Sequence, residues 1–334
     1  MNTSLRTRRW VLQSGSVALT GWLPISAEKH VHAQQAAEPL RILCSGPAGS
    51  IPDIIARRIA ERLFGQFAHS PLVDNRPGAA GQIAVGALKS APASASTVLL
   101  AQGAVATVYP FLYPKLAYDP VADLRPVSLA AEMTLALAVG PSVPTRIQNV
   151  RELMDWMRQN PKLANVGSPG TGTLPHLLEV MLFRESDLPW QHVAYPGGPP
   201  ALVDLLGGQI AALVLPEGLL RQHKAAGRLR VLANSGAQRS PYMPDVATLA
   251  EQGYRNLVVA EWFAFFMSAK ASIPAMETLS AALRSALARP ELAASFAESG
   301  MTAVSSTPSE LAMRVAAEQR FWEPIIRTAG IRVE

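Results

Sequence analysis

One cysteine, Cys44, occurs in 334 residues. A single thiol makes no internal disulfide and builds no metal site. Cys44 lies in the apolar run from Leu40 to Ser45, so it reads as a packed strand position rather than a reactive group. The small residues that a lipid-modified cysteine needs just before it are missing too. Histidine is scarce: past residue 33 only His69, His176, His192 and His223 remain, and no two stand at helix spacing. No metal and no cofactor are expected. Charged residues make up 16 % of the chain, against a usual quarter. The formal charge is +5, of which the segment holding Arg6, Arg8, Arg9, Glu28 and Lys29 supplies +3 and the rest +2. With no basic stripe and no aromatic-rich basic loop, nucleic acid is excluded as a partner.

Apolar residues are plentiful, at 49 %, which supplies a sizeable core and argues against disorder. The length suits two domains. Residues 1–33 read as an export signal: an arginine-rich start, a moderately apolar stretch from Trp10 to Ile25, and Val31-His32-Ala33 as a cleavage site. Arg8-Arg9 with Trp10 to Gln13 resembles a twin-arginine signal; an ordinary secretory signal is the alternative. Either route predicts a periplasmic protein. Gln13, Ser14, Gly15 and Pro24 interrupt the stretch too often for a retained span, and no other segment has a span's length.

Strands and helices then alternate. Strands are expected over 40–44, 71–74 and 97–101, with helices over 52–64 and from 81 onward. The β-α-β-α-β order calls for a parallel sheet with helices on both faces. Residues 109–126 read as irregular. An apolar run over 134–139 reads as a strand leaving the first lobe, and a second run over 257–267 as one returning. Between them lie helices over 150–159, 174–183, 200–206 and 218–226, and strands over 164–167, 190–194, 210–215 and 229–233. Helices over 275–288, 290–299 and 308–328 end the chain.

Two short stretches are near copies: Gly49-Ser50-Ile51-Pro52-Asp53 and Gly172-Thr173-Leu174-Pro175-His176. Each stands between an apolar run and an amphipathic one, as a strand-to-helix turn does. Such a turn aims unpaired N–H groups and the positive helix end at one point, where an anion binds. The alternative is a pair of well-made caps. Ser50 and Asp53 fit the Ser-x-x-acid capping pattern, with Asp53 ordering the loop rather than facing a carboxylate ligand. Ser168 to Thr173 concentrates two glycines and three hydroxyls, as an oxyanion loop or as a flexible connection. His176, one turn into its helix, is expected neutral, either at a ligand or simply packed. A hydrolase built on Ser168, His176 and Asp53 lacks the Gly-x-Ser-x-Gly elbow. A dinucleotide site lacks the glycine spacing, and a P-loop the Gly-Lys-Ser/Thr ending.

Ordered stretches along nearly the whole mature chain resemble one family. They include Pro47-Ala48-Gly49-Ser50-Ile51-Pro52-Asp53-Ile54-Ile55-Ala56-Arg57, Asp74-Asn75-Arg76-Pro77-Gly78-Ala79-Ala80-Gly81, Leu116-Ala117-Tyr118-Asp119-Pro120, Gly170-Thr171-Gly172-Thr173 with His176, His192-Val193-Ala194-Tyr195 and the stretch from Pro200 to Gln209. Arg239-Ser240-Pro241 with Pro244-Asp245-Val246, and Ala329-Gly330-Ile331, fit as well. The chain resembles the Bug-type extracytoplasmic solute receptors, the substrate-binding proteins of tripartite tricarboxylate transporters. The resemblance implies a type II periplasmic-binding-protein fold in which two β/α lobes, joined by two crossing strands, close on a small carboxylate. It places one lobe over 38–138 and 260–334 and the other over 139–259. It implies that Gly49, Ser50, Ile51 and Asp53 in the first lobe and Ser168, Thr171, Gly172, Thr173 and His176 in the second hold the ligand. Gly103 and Thr107, in the loop over 102–107, and Tyr195 with Gly197 would line the rest. The implied partners are membrane transporter subunits, or a sensor in their place, and the implied state is a monomer with no catalytic step. Three departures stand out. Ser50 replaces a second glycine, Pro52 and Pro175 replace Thr or Ser, and Leu215-Pro216 replaces Asp-Asn. The last suggests a less polar carboxylate, aromatic or aliphatic.

Overall fold

The computed structural model describes residues 39–65, 67–68, 70–92, 96–184, 188–330 and 332–333. The expected export signal, its cleavage point, His69 and Ile331 lie outside the described residues.

The first α/β unit follows its sequence pattern closely. β1 (Arg41–Cys44), β2 (Leu72–Asn75) and β3 (Thr97–Gln102) are parallel, in the order β2-β1-β3. α1 (Ile51–Leu63) and α2 (Gln82–Ser90) connect them. Cys44 is buried, and burial pushes its thiol up to about 12, which fits an inert strand residue. α1 buries Ile55, Ile59 and Leu63 at four-residue spacing, the stripe that makes it amphipathic.

Residues 109–126 are more regular than their composition implies. Two single turns, α3 (Ala104–Thr107) and α4 (Tyr109–Leu112), follow β3, and β4 (Leu124–Val139) already begins within the stretch. β4 runs for 16 residues, of which the apolar run over 134–139 is only the end. Its Pro126 sits beside a shift in register with β9 (Ala260–Ser268), and such a bulge is where a proline is tolerated in a sheet. β4 pairs antiparallel with β9 over Leu124 to Thr134, and with β7 (Ala212–Pro216) and β8 (Arg230–Asn234) over Leu135 to Val139. One strand therefore belongs to both halves of the sheet, which reads β2-β1-β3-β9-β4-β7-β5-β6.

The second unit holds α5 (Val150–Gln159), β5 (Asn165–Ser168), α6 (Leu174–Arg184), β6 (Gln191–Ala194), α7 (Gly198–Leu206) and α8 (Glu217–Ala225), with β5 parallel to β6 and β7. At the C-terminus α9 (Ile273–Leu287), α10 (Pro290–Glu298), β10 (Thr302–Ala303) and α11 (Pro308–Ala329) return to the first unit. α9 packs on α1 and β4, and α11 on β4 and α3. α11 starts with a complete capping box between Thr307 and Glu310. One apolar cluster runs through both units, joining Leu99 and Val105 to Leu137, Phe183 and Trp262. Each such buried side chain contributes about 1.5–3 kcal/mol, so the joint between the units is core rather than linker. No helix of the described residues is long and apolar enough to cross a membrane.

Candidate ligand-binding site

Both glycine turns stand at the carboxyl ends of parallel strands, β1 and β5, where open α/β sheets place their ligands. In the first, Gly49 takes φ 77° and Ser50 is the N-cap of α1. The Ser50 hydroxyl makes no cap bond; it donates to Pro47 O at 2.6 Å. Asp53 is buried and ties the loop together. Its carboxylate accepts the Gly49 N–H at 2.9 Å, Asn75 Nδ2 at 2.9 Å and Arg57 Nε at 3.1 Å. Burial alone would raise the Asp53 carboxyl, but these three donors outweigh it and hold the group below the ordinary range.

The second turn is likewise bonded to itself. Thr173 Oγ1 donates to Gly170 O at 2.7 Å, and the Gly172 N–H donates to His176 Nδ1 at 3.0 Å. That bond places the neutral His176 proton on Nε2. His176 stacks on His192 with centroids 3.9 Å apart, and His192 Nε2 lies 2.8 Å from the buried Ser168 Oγ. Burial, and for His176 also the neighbouring His192, pushes the two imidazoles down to about 3 and about 4. The neutral state expected of His176 thus comes chiefly from burial, not from its helix end. Both folded values lie below the unfolded one, near 6.5, so the unfolded chain binds more protons in that interval. Stability is expected to be full above pH 6.5 and to fall as pH drops from about 6.5 toward 4. The double variant His176→Gln/His192→Gln should flatten that slope in thermal melts taken every half pH unit.

Between the turns lies a cavity of about 570 Å³. The first lobe lines it with Ser50, Ile51, Pro52, Gln102 and residues 78–82. The second contributes Gly170, Thr171, Thr173, Pro175 and residues 194–198, while Leu215, Pro216, Leu219 and Phe263 form apolar wall. Among the described lining residues, the side chains able to carry charge near neutrality are Lys115 and Glu261. The two sides already touch. Tyr113 Oη donates to Thr171 O at 2.8 Å, and a Cβ added at Gly197 would lie 2.6 Å from Pro47 Cγ.

Of the residues expected at the ligand, Ser50, Ile51, Thr171, Thr173, Tyr195 and Gly197 line the cavity; Gly49, Asp53, Gly103, Thr107, Ser168, Gly172 and His176 do not. Gly103 donates its N–H to Trp262 O, and Thr107 Oγ1 donates to Gly103 O. Tyr195 Oη donates to Asp204. The hydroxyl protons of Ser50 and Thr173 are committed to loop carbonyls, and the amides of Gly49, Ser50, Gly172 and Thr173 are used within the turns. The amides of Ile51, Ala79, Ala80, Thr171 and Gly197 make no hydrogen bond among the described residues. Of these unpaired amides, Ile51, Thr171 and Gly197 belong to residues the resemblance places at the ligand, and Ala79 and Ala80 do not.

The turn over 78–81 belongs to a stretch that carries the resemblance, but it is not among the residues the resemblance places at the ligand. Gly78, Ala79, Ala80 and Gly81 all have positive φ, at 114°, 44°, 51° and 90°. Two alanines in the left-handed region cost on the order of 1–2 kcal/mol each. Gln102 Nε2 and Tyr109 Oη hold the strained Ala80 carbonyl at 2.6 and 2.8 Å. Strain fixed in this way beside a cavity is a mark of a working site, and the flanking glycines were its one visible sign.

Ser168, His176 and Asp53 do not form a hydrolytic triad. Ser168 is buried and its imidazole partner is His192, not His176. Glu179 Oε2 lies 3.9 Å from the same Nε2 instead of the other ring nitrogen, and Asp53 belongs to the opposite turn.

A sheet of two α/β units sharing a strand, with paired strand-to-helix turns across a cavity, defines a bilobed solute-binding protein. The chain belongs to the tripartite tricarboxylate transporter family receptors, whose pattern matches residues 55–331. It is similar to BugT of Bordetella pertussis, at 29 % identity over 313 residues that span 93 % of this chain and 94 % of that one. Among solved structures it is similar to an R. palustris protein with adipate (26 % identity, TM-score 0.84, 90 % of this chain and 100 % of that one). It shares its fold with the periplasmic binding protein BugD (23 % identity, TM-score 0.83, 89 % and 99 %).

Proposed function

We propose that this protein captures a small carboxylate with an apolar body in the periplasm and hands it to membrane transporter subunits. The observation that carries the reading is the cavity itself: Ile51, Ala79 and Thr171, whose backbone N–H groups are unpaired among the described residues, line it together with Leu215, Leu219 and Phe263. Unpaired backbone donors suit a carboxylate, and the remaining surface rewards burial of carbon. The adipate held by the R. palustris relative has this character. The lobes we assign are 38–138 with 260–334, and 139–259, preceded by a cleaved signal over 1–33; the exported protein acts as a monomer.

Differential scanning fluorimetry against adipate, hexanoate, benzoate, citrate and glutamate tests the reading. Binding at a hundredfold excess over Kd adds about 2.7 kcal/mol, a shift of several degrees. The expected result is a shift with adipate, hexanoate or benzoate. A shift with citrate or glutamate alone would remove the apolar body, and none with any carboxylate would remove the carboxylate.

A further inference from the structure

Glu261 lies on β9 two residues before Phe263, so both side chains point to the same face, and both line the cavity. Glu261 is only 3 % exposed, and its Oε1 has no hydrogen-bond partner among the described residues. The charged groups around it are already engaged. On α11, Arg314 pairs with Glu132 of β4 and with Glu318, and Glu318 also accepts the Trp262 indole N–H at 2.7 Å. On α4, Tyr109 gives its proton to Ala80 O. From β4 the residue directly opposite is Met133, and the neighbouring end of β3 contributes the uncharged Gln102. On α2, Lys89 is paired with Asp123. Lys115, the other chargeable lining residue, is exposed and forms no ion pair with Glu261.

Among the described residues no cation pairs with this carboxyl. Burial first, and then the Glu318 charge, pushes it up to about 8. At neutral pH it keeps its proton, no acceptor for that proton stands among the described residues, and a buried donor left unmade is unfavourable.

We propose that Glu261 is a specificity-determining residue of the cavity, donating the O–H of its un-ionised acid to an oxygen of the bound anion. The inference rests on the carboxylate reading above and adds a second anchor to it. The turn amides take one carboxylate, and Glu261 takes an oxygen farther along the ligand, so the chemical class is an aliphatic chain with oxygen at both ends. A ligand ammonium would instead require ionised Glu261.

Calorimetric titration with adipate from pH 6 to 9, in wild type, Glu261→Gln and Glu261→Ala, tests the assignment, with hexanoate as the ligand lacking the second oxygen pair. As pH passes the folded pKa the donor is lost and an anion faces an anion. Adipate should bind roughly tenfold more weakly at pH 9 than at pH 7, and hexanoate should show a smaller loss. Glu261→Gln keeps a donor and should bind adipate at pH 7 while losing the pH slope; Glu261→Ala should bind weakly throughout. A flat wild-type profile, or one that rises with pH, overturns the inference. If Glu261→Gln fails to fold, the wild-type profile decides alone. The ionisation itself is read in ligand-free protein by carbon-13 NMR of the glutamate carboxyls. One midpoint near 8 is expected, and its absence overturns the inference. That midpoint without binding of adipate, hexanoate or any other carboxylate would overturn the carboxylate reading instead.

Discussion

Gly218→Ala is expected to destabilise the protein by about 3 kcal/mol, at the upper end of the overpacking range, and to lower Tm by roughly 6–12 °C. Gly218 is the second residue of α8, and a Cβ there would overlap the Ser299 carbonyl oxygen, with the Ser299 carbonyl carbon at 2.7 Å and Gly300 N at 3.5 Å. These are backbone atoms, so no side chain can rotate away to make room. The contact is where α8 meets the turn after α10. Arg221 strengthens it by donating to Ala297 O at 3.1 Å, and Tyr242 by donating to Met301 O at 3.0 Å. Gly86→Ala is the matched control. Gly86 lies within α2, and a Cβ there meets nothing within 4 Å. That substitution should leave Tm unchanged or raise it, since alanine favours helix by about 0.5–1 kcal/mol over glycine. Equal losses from the two variants would show that the α8–Ser299 contact is loose.

Asp53→Ala is expected to cost about 1.5–3 kcal/mol, the range for hydrogen bonds to a charged group, since the half-exposed Arg57 left behind keeps its solvent. It leaves the Gly49 N–H, Asn75 Nδ2 and the Arg57 guanidinium without their shared acceptor. The damage should extend to the site, since Gly49 and Asn75 set the path of the loop that carries Ser50 and Ile51. Asp53→Asn keeps an acceptor for Gly49 and should lose less. The pH sense follows from the depressed carboxyl. Its contribution is complete above the unfolded value near 3.9 and is lost as pH falls through the lower folded value. Urea denaturation at pH 7 and again at pH 3.5 checks both points: the gap between wild type and Asp53→Ala should narrow in acid. A gap that is small at pH 7 would make Asp53 a bystander.

The parallel β/α pattern was legible because its signals are local. Ile55, Ile59 and Leu63 repeat at helix spacing, and Gly49 and Gly172 mark the turns whatever packs on them. The first half of β4 was hidden, because Pro126, Ser128 and Glu132 break its apolar pattern and its register shifts are set by β9. Within the site, the hydroxyls of Ser50 and Thr173 have the chemistry of ligand donors, and nothing in their spacing shows that Pro47 O and Gly170 O take them first. Ala79 and Ala80 carry no residue-type sign of a left-handed backbone. Glu261 sat inside an apolar run that reads as a crossing strand. That its carboxyl faces a cavity depends on the strand's rotation in the assembled sheet, a property of the fold and not of the run.

β4 joins the two lobes as a single 16-residue strand. Its hydrogen bonds pass from β9 to β7 and β8 along one unbroken chain, so the lobes meet at a leaf spring rather than at a pair of free swivels. A swivel turns through a few soft dihedrals; a spring bends over many stiff ones and returns toward its resting curvature. Because strand residues alternate between faces, one residue inserted near Thr134 and not taken up in a bulge would turn every side chain on one side of the joint to the opposite face, whereas two would restore them. The spacing of the two lobes along this strand is therefore locked in steps of two residues.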